Sequence, residues 1–152
     1  MEKKFFVDAM LGSLARWMRT LGYDALYEAH IDDTALLLRA AADGRIVLTR
    51  DTLLMKRRLA RGRAVFIESE DVGAQLKQVT SLFPNEEEKL LTRCLRCNAT
   101  LERIDRQLVE EKVPQYVFLT QDEFSMCPAC KRVYWGGTHR ERMMGDLKKL
   151  LS

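Results

Sequence analysis

The first half of the chain alternates short apolar runs with stretches of helical periodicity. Phe5-Phe6-Val7 runs without a polar break into Asp8 and predicts a buried strand. Leu11, Leu14, Ala15, Met18 and Leu21 then recur at helical spacing, and Gly22 stands where such a helix ends. Residues 24–27 predict a second strand. Asp32 or Asp33 is placed to cap a helix through Leu36, Leu37 and Leu38, which Gly44 closes. Ile46-Val47-Leu48 is the clearest strand, apolar throughout, as expected when both faces are covered. A basic helix is expected over residues 52–60, closed by Gly62. A strand over 64–67 and a helix over 71–83 follow, the helix carrying Val72, Leu76, Val79 and Phe83 on one side.

This fourfold β-α alternation predicts an α/β fold, a parallel sheet with helices on both faces. The pattern changes at Pro84-Asn85-Glu86-Glu87-Glu88, which reads as a solvated linker over 84–92 between a unit at 1–83 and a second at 93–151. In the second unit, short β-like pieces are expected at 108–109, 116–119 and 133–135. A closing helix is expected over 141–151.

Composition adds exclusions. With 47% hydrophobic and 31% charged residues in 152, the chain is a folding sequence and not a disordered one. No apolar run approaches the ~20 residues of a membrane span. The apolar run after Lys3-Lys4 stops at Asp8, unlike a secretory signal, so a cytoplasmic location without membrane association is expected. The net charge of +3, from 25 basic and 22 acidic residues, is too mild to establish a nucleic-acid partner alone. Lys56-Arg57-Arg58 with Arg61 and Arg63 is a local exception. It reads either as a solvated helix face or as a patch that tracks phosphates.

The acids suggest chemistry. Asp8 and Asp51 end predicted strands, and the Asp32-Asp33 pair follows another. The carboxyl ends of strands in an open parallel sheet are where ligands bind. Carboxylates gathered there repel one another unless a cation holds them. Hard cations such as Mg²⁺ take oxygen ligands, the basis of metal-dependent phosphodiester hydrolysis. Each acid also has a plain structural alternative as a helix cap. Glu68, Glu70 and Asp71 follow the fourth predicted strand. Arg16 and Arg19 lie one turn apart on the first predicted helix. Arg16 or Arg50 is suited to hold a phosphate through its planar fork, or to steady the acids. Ser13 is a further phosphate-binding candidate. His30 and His139 are the only histidines, and nothing in the sequence pairs them with an acid triad. There is no GxxxxGK[ST] loop, and Met10 stands where an Asp-x-Asp phosphatase motif needs its second aspartate.

All four cysteines fall in the second unit, as Cys94-x-x-Cys97 and Cys127-x-x-Cys130. Two such pairs predict one tetrathiolate Zn²⁺ site, each tight turn supplying two sulfurs at ~2.3 Å. Four thiolates fill the coordination shell, so the zinc is expected to be structural. Tyr134 and Trp135 beside the second pair can stack on unpaired bases or pack the hairpin.

Several stretches together resemble the Mut7-C RNase domain family: 6–24 (Phe6-Val7-Asp8-Ala9-Met10-Leu11-Gly12-Ser13 through Gly22-Tyr23-Asp24), Leu48-Thr49-Arg50-Asp51, Arg93-Cys94-Leu95-Arg96-Cys97-Asn98, and Cys127-Pro128-Ala129-Cys130 through Val133-Tyr134-Trp135-Gly136-Gly137-Thr138-His139. The resemblance spans nearly the whole chain. It implies a PIN-like nuclease fold over 1–83 with a zinc ribbon over 93–151, RNA as partner, and endoribonuclease activity. It also implies Mg²⁺ or Mn²⁺ held by Asp8, Asp33 (with Asp32 as neighbour) and Asp51. The rival expectations are a nonenzymatic RNA-binding protein and a ribbon that docks on a protein partner.

Overall fold

Four parallel strands, β1 (Lys4–Val7), β2 (Asp24–Tyr27), β3 (Ile46–Thr49) and β4 (Ala64–Phe66), form the central sheet in the order β2-β1-β3-β4. The structure is a computed structural model that describes residues 2–152. The two inner strands are the ones whose apolar runs are unbroken. Phe5, Phe6, Val7, Val47 and Leu48 are all inaccessible to solvent. Their side chains alternate between two cores. Phe5, Val7 and Leu48 meet Leu14, Met18, Leu76 and Val79 from helices α1 (Gly12–Thr20) and α4 (Val72–Leu82). Phe6 and Val47 meet Leu36, Leu37, Ala40 and Leu54 from α2 (Asp33–Asp43) and the single turn α3 (Thr52–Met55). Helices therefore cover both faces, as the alternation predicts.

Three expectations need correction. Residues 52–60 are not one helix: α3 ends at Met55, and a 3-10 turn occupies Arg58–Ala60. Leu54 and Ala60 both enter the core. Six residues apart, they would point about 120° away from each other on one helix, so the chain breaks between them. Residues 116–119 form no strand but lie in helix α5 (Gln115–Thr120), which starts after Pro114. Val113 and Val117, four apart, both turn inward, while Tyr116 and Leu119 stay exposed. Leu108 and Val109, also expected as β, end a 3-10 turn.

The second sheet is an antiparallel meander of β5 (Glu102–Ile104), β6 (Phe124–Met126) and β7 (Val133–Trp135). Its own core is small: Val109, Val113, Val117 and Phe124 are its buried members. The last helix, α6 (Thr138–Leu151), returns to the first unit. Leu147 joins the core of Phe5, Leu14 and Leu76, and Gly73 of α4 brings its backbone near the Leu150 carbonyl.

The segment 84–92 also lies on the first unit. Leu91 N–H donates to the Thr20 carbonyl at 2.9 Å, and Arg93 Nε donates to the Gly22 carbonyl at 3.1 Å. Gly22 has φ +94, and a Cβ there would meet the Lys89 carbonyl at 2.3 Å, so only glycine fits. Beside it, buried Arg19 donates to the carbonyls of Ala25, Leu95 and Arg96 at 2.8, 2.9 and 3.3 Å. Asn98 accepts from Ala25 N–H at 2.9 Å and donates to Asp24 at 2.7 Å. These groups cover the outer edge of β2, which otherwise presents unpaired backbone.

Arg19→Met is expected to leave three carbonyls without this donor and to destabilise the fold by about 2–4 kcal/mol. The check is a lowered urea midpoint with the slope unchanged; an unmoved midpoint would refute the stapling role. No helix among the described residues is long and apolar enough to cross a membrane.

Candidate active site and metal centre

The chain leaves β1 for β2 on one side, then crosses back to β3 on the other. The carboxyl ends of β1 and β3 therefore form the sheet's switch point, where strand order reverses. Asp8 leaves β1 there, and Thr49, Arg50 and Asp51 leave β3.

Asp8 is 5% exposed. Its Oδ1 accepts from Ala9 N–H and its Oδ2 from the Thr49 hydroxyl, both at 2.7 Å. Thr49 Oγ1 in turn accepts from Asp51 N–H at 2.9 Å, so one hydroxyl bridges the two aspartate positions. Asp51 caps α3 with Oδ1 alone, taking N–H groups of Leu53 and Leu54. Carboxylate oxygens have about four lone-pair sites, so Asp8 and Asp51 keep free acceptor capacity.

Asp32 and Asp33 stand differently in the structure. Asp32 is the cap of α2, accepting from Ala35 N–H at 2.8 Å. Asp33, the first residue of the helix, has no hydrogen-bond or ion-pair partner for its carboxylate among the described residues. Desolvation raises its pKa first, then the charges of Asp51 and Asp8, against a lowering by Arg57. A shallow surface beside it is lined by Asp32, Thr34, Ala35, Leu38 and Arg57.

At the opposite end of the sheet Asp24 shows the reverse. Burial works to raise it, but hydrogen bonds from Arg45 and Asn98 outweigh this and hold the carboxyl below its usual range. Asp24 is a paired structural acid; Asp33 is an unpaired one.

The sulfurs of Cys94, Cys97, Cys127 and Cys130 all lie within 4.8 Å of one another, a spacing the three aspartates do not reach. A zinc tetrahedron with ~2.3 Å bonds separates sulfurs by about 3.8 Å. Cys94 and Cys130 stand at 3.7 Å. The two turns are built alike. Asn98 and Lys131, each just after a second cysteine, have φ of 70° and 65°. Their N–H groups reach back to the Cys94 and Cys127 carbonyls at 2.8 and 2.9 Å.

Burial pushes the Cys94 thiol up, but donation from the Tyr134 hydroxyl and the Cys97 and Arg96 backbones brings it down to about 7. The Cys130 hydrogen bond, then desolvation and the neighbouring sulfurs, push Cys97 up to about 12. Cys97 thus keeps its proton at neutral pH unless a cation replaces it. The donor set, geometry and charge fit Zn²⁺.

The Mut7-C RNAse domain model matches residues 3–147. The chain belongs to the Mut7-C RNAse domain family. Searches of curated proteins and of solved structures found no match. A ribonuclease-type function accords with that family, and four close cysteines accord with a zinc ribbon.

Within this Mut7-C domain the basic candidates divide. Arg50 donates to the Ile67 carbonyl at 2.7 Å and lies 3.8 Å from Glu70, so it ties β3 to the end of β4. Arg16 and Ser13 are exposed on α1, whereas Arg19 is buried under the first cysteine turn. Arg16 and Arg19 thus do not act as one face. Asp71 caps α4 through Ala74 N–H. Tyr134 gives its hydroxyl to the Cys94 and Leu95 surroundings, and Trp135 packs toward Phe124 with ring centroids 6.4 Å apart. Trp17 packs on the first core. Two residues were not anticipated at the site: Thr49, the bridge between Asp8 and Asp51, and Arg57, the cation beside Asp33. Thr49 had a signal, a hydroxyl ending an otherwise apolar strand two residues before an acid.

Proposed function

We propose that this protein is an endoribonuclease that hydrolyses RNA phosphodiester bonds with Mg²⁺ or Mn²⁺ held by Asp8, Asp33 and Asp51. The observation that carries the reading is the unpartnered Asp33 carboxylate, raised by burial and by Asp51 and Asp8 at the sheet's switch point. Asp24, at the other end of the sheet, is by contrast held by Arg45 and Asn98.

Such a hard-oxygen donor set fits a divalent cation, which when bound supplies an acidified water and neutralises charge on phosphoryl oxygens. Asp8, locked by Thr49 and Ala9, holds its carboxylate in one orientation. Asp33 closes the site from α2. Asp51 keeps one oxygen clear of its cap, and Asp33 or Asp51 can accept the proton of the attacking water. The first cysteine turn packs at the far end of the sheet, beside Asp24 and Ala25. The ribbon's aid to RNA binding therefore falls to its outer hairpin.

The test is cleavage of internally and end-labelled RNAs, single-stranded and structured, with Mn²⁺, Mg²⁺ or neither. Internal cuts are expected only with the cation, and Asp51→Asn should lower the rate on the order of 10²-fold or more while keeping zinc and fold. Wild-type protein that binds but never cuts these RNAs would move the function to nonenzymatic RNA binding. Absence of both binding and cutting would favour a ribbon that docks on a protein.

A further inference from the structure

Residues 56–63 carry five basic side chains and no acid: Lys56, Arg57, Arg58, Arg61 and Arg63. In a chain of 25 basic and 22 acidic residues, five basic side chains within eight positions concentrate positive charge on one segment, and none of them is neutralised by an ion pair among the described residues. Among the described residues no carboxylate oxygen lies within 4.0 Å of any of these five, although Lys4, Arg39, Arg45, Arg50, Lys89 and Arg103 all find one.

The backbone that carries them is nonetheless fixed. Leu54 and Ala60 are buried in the core beneath α2. Arg57 N–H donates to Leu54, Ala60 N–H to Arg57, and Arg63 N–H to Ala60, at 3.0–3.1 Å. Between these anchors Lys56, Arg57, Arg58 and Arg61 all face solvent. A row of exposed like charges with no ion-pair partner raises a positive local potential that attracts a polyanion.

The row also has a direction. It begins directly after α3, whose cap is Asp51. Arg57 reaches across to α2, donating to the Thr34 hydroxyl at 2.7 Å beside Asp33. It ends at Arg63, whose carbonyl accepts from Val47 N–H near the other end of β3. The charges thus descend from the carboxylate rim along the outside of the α2 and α3 layer.

We propose that residues 56–61 are the path along which the sugar–phosphate backbone of an RNA strand leaves the carboxylate rim, with Arg57 gripping the phosphate nearest the cleaved bond. The proposal rests on reading that rim as the cleavage site. It replaces Arg50, which is tied to β4, as the main phosphate ligand. The run 56–63 carries no aromatic side chain for stacking on bases, and contacts to phosphate position a strand without carrying base information.

Salt dependence of binding tests this. Affinity of the full chain for a fluorescent oligouridine would be followed from about 50 to 200 mM KCl, with zinc retained and no Mg²⁺ or Mn²⁺ added. Each phosphate contact to a single strand contributes a slope near −0.7 in log K against log salt. Combined Lys56→Gln, Arg57→Gln, Arg58→Gln and Arg61→Gln should therefore flatten the slope by about 3 and weaken binding on the order of 10²-fold at low salt. Arg58→Gln alone should flatten it by about 0.7, which keeps the test valid if the fourfold variant folds poorly. Lys148→Gln with Lys149→Gln on α6 is the control and should change neither.

Unchanged slopes in the strip variants, equal losses in the control, or no RNA binding by wild type would overturn the path. Strip-dependent binding without metal-dependent cleavage would keep residues 56–61 as an RNA-binding strip and remove both the nuclease reading and Arg57's place beside a cleaved bond. Cleavage that survives in strip variants with wild-type binding would do the reverse.

Discussion

Zinc removal is expected to unfold residues 93–137 and to lower the melting temperature of the whole chain. The ribbon has three strands of three residues each and four buried core side chains, too little apolar burial to offset the entropy of ordering it. Structural zinc in small domains contributes about 10–16 kcal/mol of apparent binding free energy at neutral pH. Without the cation the thiols do not substitute for it. Cys97, pushed up to about 12 by Cys130, burial and the other sulfurs, stays protonated.

The loss should spread. Arg19 would lose Leu95 and Arg96, and Asn98 would leave Asp24 and Ala25, exposing the edge of β2. The unfolded stretch would also become a long loop that α6 must close to keep Leu147 in the first core. A loss of ~5 kcal/mol corresponds to about 10–20 °C for a chain of this size. Calorimetry of wild type and Cys127→Ser, each with its zinc content measured, checks this. Equal melting of zinc-free and zinc-loaded protein would contradict it.

How much of this was legible before the structure depends on how local each feature is. β1 and β3 read correctly because both of their faces are buried, so apolarity is continuous. The cysteine site read correctly because a two-residue gap confines both sulfurs to one turn. Residues 116–119 misled because Tyr116, Val117, Phe118 and Leu119 form an apolar run that fits either period. Only Pro114 and the Val113–Val117 spacing separate helix from strand. At the sheet rim, the positions of Asp8 and Asp51 were visible from the strands that deliver them. Which of Asp32 and Asp33 caps α2 is a one-residue register that adjacent identical acids conceal. Arg19 was out of reach, because its partners Leu95 and Arg96 lie far along the chain. Arg57 was seen as charge without a place, because its nearness to Asp33 depends on how α3 breaks.

Asp8→Asn and Asp33→Asn are expected to lose cleavage alike and to part company in stability. Asp8 receives two hydrogen bonds from the fold, from Ala9 N–H and from the Thr49 hydroxyl. An amide cannot accept both with two oxygens, so this variant should be less stable by about 1 kcal/mol. Asp33 receives none, and its charge is opposed by desolvation, by Asp51 and by Asp8. Its folded pKa therefore lies above its unfolded value. The stability this proton brings is fully present below the unfolded pKa of about 3.9 and is lost as pH rises through the folded pKa. Asp24 has the opposite sign. Its depressed pKa gives stability above the unfolded value that is lost as pH falls through the folded one. Asp33→Asn should accordingly melt at or above wild type at neutral pH without added metal, and the difference should vanish in acid. Mn²⁺ should then raise wild-type melting with its concentration, since a cation binding only the folded state stabilises it by mass action. Neither variant should respond to Mn²⁺ as wild type does, and both should lose on the order of 10³-fold in rate, the several kcal/mol that a positioned cation supplies. If Asp33→Asn were destabilised at neutral pH, or if its Mn²⁺ response equalled that of wild type, Asp33 would be an ordinary helix residue and the cation site would have to be drawn without it.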